Sequence, residues 1–170
     1  DTTGASVRLL SLDGSGSGND LAVAARIAAL SGGLTLAAGD LLDLRDGTLL
    51  NAAGSVLLGL ESAGAGNADA GGGALILGGT VRGASLTLSG GPDNDSFSLR
   101  RVGADGLTLD AGAGNDEVLV GTGLPGSVVG PLDLRAGAGA ADRIELDLTA
   151  TAADQSGVLT ASRFSGFGLG

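Results

Sequence analysis

Apolar residues in this chain fall at alternate positions in short runs, and Gly-rich turns separate the runs. The clearest copies lie in the C-terminal half. Leu86-Thr87-Leu88 leads through Ser-Gly-Gly-Pro-Asp-Asn to Asp95, then to Phe97 and Leu99. Leu107-Thr108-Leu109 leads through Asp-Ala-Gly-Ala-Gly-Asn to Asp116, then to Val118 and Val120, at an offset of 21 residues. A third copy runs from Leu132-Asp133-Leu134 to Asp142, then Ile144, Leu146 and Leu148, with one extra residue in its turn and a longer connection before it. Each copy has the form strand, Gly-rich turn, Asp, strand. The alternation is the period-2 signal of half-buried strands, and the glycines supply positive φ and close backbone approach.

A repeat of this length with two or three strands predicts one coil of an all-β solenoid, a parallel β-helix in which each strand pairs with its equivalent about 4.8 Å away. The N-terminal half is looser. Its short apolar runs, such as Gly33–Leu36, Asp40–Leu44, Ser55–Leu58 and Ala74–Leu77, are separated by Gly, Ala, Asn and Asp. Residues 1–170 thus form one solenoid segment of about seven coils of roughly 20 residues. Residues 1–79 hold the looser coils and 80–170 those with Gly/Asp-rich turns. The segment Asp20–Leu30 is Ala-rich and allows a short helix capped by Asp20, but its strand-like flanks favour a pair of strands.

Composition narrows the chemistry. The chain has no Cys, His, Met, Trp, Tyr or Lys; nine Arg face sixteen Asp and three Glu, for a net charge of −10. Hydrophobic content of 43% permits a core, which must be built from Leu, Val, Ile and Ala because only three residues are aromatic. A narrow solenoid tolerates this better than an irregular globule does. The acidic balance argues against nucleic acid and anionic membrane surfaces, and no apolar run is long enough for membrane insertion. Missing His, Cys and Lys remove most nucleophiles, bases and soft metal ligands. Carboxylate pairs such as Asp93 with Asp95, or Asp116 with Glu117, are the only basis for glycoside chemistry, and turn structure explains them as well. The expectation is a non-enzymatic protein.

The turns resemble the Gly/Asp-rich nonapeptide of RTX proteins, which form calcium-binding β-rolls. Gly90-Gly-Pro-Asp-Asn-Asp-Ser-Phe97 departs by Asp93 for a Gly, and Ala111-Gly-Ala-Gly-Asn-Asp-Glu-Val118 by Ala111 for a Gly. RTX nonapeptides come in tandem, whereas here there is one per coil. The whole chain is similar in cadence to filamentous-haemagglutinin-like giant bacterial exoproteins and adhesins, for example over Gly79–Gly90 and Asp154–Gly170. That resemblance implies a right-handed β-helix, a place in a longer repeat protein, secretion or display at the cell surface, and a role in adhesion or surface structure.

The candidate metal ligands are Asp93, Asp95, Asp116 and Asp142, with Asn94 and Asn115 beside them. In register these carboxylates form a column, where two of them about 5 Å apart repel by roughly 1 kcal/mol even in water. Bridging calcium, completed by turn carbonyls, reverses that repulsion. Alternatively the same residues cap turns and hold no metal. Arg100-Arg101, the only basic doublet, suits a solvated strand end better than an anionic glycan. Phe164, Phe167 and Leu169 suit core filling. Expected partners are neighbouring coils or identical subunits stacked end to end, because open coil ends are unpaired edges; surface glycans are the alternative.

Overall fold

The computed structural model describes residues 6–12, 18–61, 71–103, 105–121, 130–147, 156–160 and 163–166. Among these residues the chain forms seventeen short strands and no helix. The first coil contains β1 (Val7–Leu10), β2 (Asp20–Val23) and β3 (Arg26–Ala29). The second contains β4 (Leu34–Ala38), β5 (Leu41–Leu44) and β6 (Leu49–Ala52), and the third β7 (Val56–Leu60), β8 (Ala74–Leu77) and β9 (Thr80–Arg82). The next coils have two strands each: β10 (Leu86–Ser89) with β11 (Ser96–Leu99), β12 (Leu107–Asp110) with β13 (Glu117–Val120), and β14 (Leu132–Arg135) with β15 (Arg143–Leu146). Last come β16 (Gly157–Leu159) and β17 (Arg163–Gly166).

Stacking generates three sheets, in the orders β1-β4-β7-β10-β12-β14-β17-β16, β2-β5-β8-β11-β13-β15 and β3-β6-β9. From β1 to β14, and throughout the second and third sheets, every pair is parallel. The architecture is a parallel β-solenoid of about five turns, from the first of its six stacked coils to the last, where about seven coils were anticipated. Equivalent residues in the first sheet lie from 21 apart (Thr87 and Thr108) to 30 apart (Val56 and Leu86). Coils are longer than 20 residues because three of them spend residues on a third strand and others on long connections. Asp20–Leu30 is the pair of strands β2 and β3, with Leu21 and Val23 turned inward and Asp20 and Ala22 exposed.

Register stacks like on like. One column inside the first sheet runs Leu9, Leu36, Leu58, Leu88, Leu109, Leu134. In the second sheet Leu42, Leu75, Phe97, Val118 and Ile144 form another. Most of these side chains are fully buried, and each contributes ~1.5–3 kcal/mol relative to exposure. Because every coil presents nearly the same cross-section, Leu and Val fill it without large rings.

The parallel stack ends at β14. There β17 adds antiparallel, placing Phe164 over Leu134, and β16 adds antiparallel to β17. Phe164 joins the core as anticipated, while Phe167 and Leu169 lie outside the described residues.

Leu88 sits mid-column with no exposed surface. Leu88→Ala is expected to destabilise the fold by ~2–5 kcal/mol, as cavity-forming substitutions do, measured by urea unfolding; a loss below ~1 kcal/mol would contradict the column packing.

Candidate functional site

The turn from first to second sheet gathers the candidate residues. Strand pairing aligns Asp20, Leu41, Ala74, Ser96, Glu117 and Arg143 at the start of the second-sheet strands. The residues immediately before them therefore form a column: Asn19, Asp40, Gly73, Asp95, Asp116, Asp142. Every carboxylate in it accepts a hydrogen bond from the backbone of the preceding coil. Asp142 Oδ1 accepts from the Asp116 N–H at 3.1 Å, and Asp116 Oδ1 from the Asp95 N–H at 2.8 Å. Asp95 Oδ1 accepts from the Gly73 N–H at 2.7 Å, and its Oδ2 from the Gly91 N–H at 2.6 Å. Asp40 Oδ2 accepts from the Gly18 and Asn19 N–H groups at 2.5 and 2.9 Å. Only Gly73, with no side chain, interrupts the series.

A second column runs alongside in the opposite direction. Asn94 Oδ1 accepts from the Asn115 N–H at 2.7 Å, and Asn115 Oδ1 from the Ala140 and Ala141 N–H groups at 3.1 and 2.9 Å. Asparagine thus ties each turn to the coil after it, and aspartate to the coil before it. Turn backbone lies between them. Ala113 N–H donates to Gly91 O and Ala138 N–H to Gly112 O. Gly114 makes this approach possible: its φ is +117°, and a Cβ there would stand 2.2 Å from Asp93 O. No other residue fits.

Asp95 and Asp116 are both 2% exposed, whereas Asp142 is half-buried. Burial raises the pKa of Asp95, against the hydrogen bonds from Gly91 and Gly73, and the Asp93 carboxylate adds to the rise. Burial likewise pushes Asp116 up to about 6; the Asp95 N–H opposes this, and the Asp95 and Asp142 carboxylates reinforce it. Asp116 Oδ2 is buried without a hydrogen-bond partner among the described residues, which is the desolvation behind that shift.

Of the four anticipated ligands, the fold brings Asp95, Asp116 and Asp142 into one column. Asp93 stands apart: Gly114 lies against its backbone and Gly139 against Gly114, so it occupies the glycine column. Calcium needs six or more oxygens around one point. Both oxygens of Asp95 already face backbone N–H donors, and among the described residues no three acidic side chains are grouped as a metal site requires. The geometry suits capping of backbone donors better than coordination. Arg100 and Arg101 are exposed at the end of β11. An open groove of about 200 Å³ beside Ser85, Asp105, Thr108 and Asp133 is smaller than a typical ligand pocket.

Asp40 is the column residue that the repeat pattern misses, since no long Gly-rich turn precedes it: β4 runs to Ala38 and only Gly39 stands between. The signal that finds it is simpler, an Asp directly ahead of a second-sheet strand.

Two outcomes follow from the column. Asp95→Ala leaves two N–H groups without their acceptor and is expected to cost ~2–4 kcal/mol, while Asp93→Asn changes stability by less than ~0.5 kcal/mol; urea unfolding of both variants checks the contrast. The folded state also holds the Asp116 proton more tightly than the unfolded chain, whose value is near 3.8. The stability linked to Asp116 is therefore complete below about pH 4 and lost as pH rises toward 6, a change of ~2–3 kcal/mol at most. Urea midpoints should be higher at pH 4.5 than at pH 7.5, and Asp116→Asn should flatten the difference; a midpoint that climbs with pH would refute the assignment.

Comparison with known proteins adds no relative: no protein-family model, no curated protein and no solved structure matches this chain.

Proposed function

We propose that this chain is a structural module, a stiff solenoid segment of a stalk, filament or adhesin belonging to a secreted or cell-surface bacterial protein. The observation that carries the reading is the use of the carboxylates. The residues with the greatest potential for chemistry, Asp95 and Asp116, are buried and joined to neighbouring coils through backbone N–H groups. A carboxylate so engaged stiffens the coil stack and is poorly placed to bind or attack a substrate. The composition agrees, since the chain has no His, Cys or Lys to complete a catalytic set. Export rests on the cadence shared with filamentous-haemagglutinin-like exoproteins and on the absence of cysteine, which suits large secreted repeat proteins.

The rival role is a glycan-binding module whose turns calcium stabilises. One experiment separates the two. The purified chain is titrated with a panel of neutral and acidic polysaccharides, in calcium and again in EGTA, while binding, depolymerisation and melting are followed. The structural role predicts no saturable binding, no cleavage and the same melting temperature in both buffers. Saturable binding, or a melting temperature that falls by several degrees in EGTA, would favour the glycan module instead.

A further inference from the structure

The six strands that end the three sheets are β1 and β16, β2 and β15, β3 and β9. Five of them carry an exposed charge: Arg8 on β1, Asp20 on β2, Arg143 and Glu145 on β15, Arg26 on β3 and Arg82 on β9. Charged side chains on an edge are how sheet proteins deter pairing with another chain. β16 alone has none. Its sequence is Gly157-Val158-Leu159, and Val158 and Leu159 are 63% and 76% exposed, the two most exposed large hydrophobic residues among those described.

We infer that β16 is a self-association edge, pairing antiparallel with β16 of a second copy about a two-fold axis and joining the two first sheets into one. The strand is self-complementary in that arrangement. Centring the axis on Val158 sets Val158 against its own copy and Leu159 against Gly157, so the largest side chain meets the smallest. The uncharged strand also brings no like charges together, which matters for a chain of net charge −10. Pairing β16 with β1 instead, head to tail, would face Gly157–Leu159 with the charged Arg8 edge and leave the second sheets out of step, because the first sheet extends two strands, β17 and β16, past β14 while the second stops at β15. A two-fold contact closes on itself and yields a dimer; a head-to-tail contact yields open chains.

This adds an assembly mode to the structural role and rests on it. Light scattering on the intact chain should show the mass rising from 16.1 kDa toward twice that value as concentration increases. Val158→Lys should weaken the dimer at least tenfold, and Leu12→Lys, an equally exposed site at the opposite end, should leave it unchanged. The chain has no cysteine, so Val158→Cys offers a single thiol that should oxidise to a disulfide dimer, while Leu12→Cys should not. A monomer at millimolar concentration, a Val158→Lys protein that dimerises like the parent, a continuous series of oligomers, or crosslinking through Leu12→Cys would each overturn the inference. A monomeric parent with unaltered melting would sink the assembly mode and leave the spacer role standing.

Discussion

A coil in a parallel solenoid has to satisfy its turns as well as its strands. Strand N–H and C=O groups find partners in the sheet ladder, and some turn groups pair coil to coil as Ala113 and Ala138 do, but a turn N–H that the backbone leaves over costs ~1–3 kcal/mol if buried unpaired. Here Asp40, Asp95, Asp116 and Asp142, each directly before a second-sheet strand, cap such donors. In the Asp95, Asp116 and Asp142 coils the carboxylate reaches across the coil boundary to a backbone donor at 2.7–3.1 Å. Charge-assisted bonds of this kind are about twice as strong as neutral ones. They complete the stacking of the glycine turns, since the N–H groups of Gly73, Gly91, Asp95 and Asp116 take these carboxylates as acceptors.

The same arrangement carries its own opposing term. Asp95, Asp116 and Asp142 stand consecutively in one column and repel, and the first two are buried. Its central member, Asp116, has a buried oxygen with no partner and is pushed up to about 6. Perturbed acidity of this sort often marks an active site, but structural networks produce it too, and here each perturbing group is itself part of the joint. The neighbouring column is built from Asn94 and Asn115, which accept N–H bonds without adding charge. Alternating a charged column with a neutral one limits the repulsion to a single file.

How far the sequence reveals this depends on the half considered. Around Asp95 and Asp116 the 21-residue offset survives into the pairing of Thr87 with Thr108, and the alternation of Leu88, Phe97 and Leu99 gives both strands and their buried faces. The number of turns was hidden for a physical reason. Strands on the third side, such as Leu49–Ala52 and Thr80–Arg82, show the same period of two as those on the first, so alternation cannot distinguish a new side of one coil from a new coil. Asp40 was hidden because only Ala38 and Gly39 separate it from the Thr35-Leu36-Ala37 of its strand, with none of the longer Gly-rich run that leads to Asp95, Asp116 and Asp142. The direction of β17 was hidden as well, because side-chain alternation is identical in parallel and antiparallel strands.

The two ends of the stack are physically unlike. At one end β1, β2 and β3 are the last strands of their sheets among the described residues, over half-buried Val7, Leu9, Leu21 and Ile27. At the other, the aspartate column runs out at Asp142, which receives no side chain from a later coil among the described residues and is half-buried. β15 is held by a neighbouring strand on one side only, and in a repeat stabilised by nearest-neighbour contacts such terminal strands open most readily. The antiparallel β17 meets the need on the first sheet by seating Phe164 on Leu134. It does so with a strand of the opposite direction, antiparallel to both β14 and β16. The β16–β17 hairpin thus covers the leucine column of the first sheet, while the aspartate column beside the second sheet ends at Asp142.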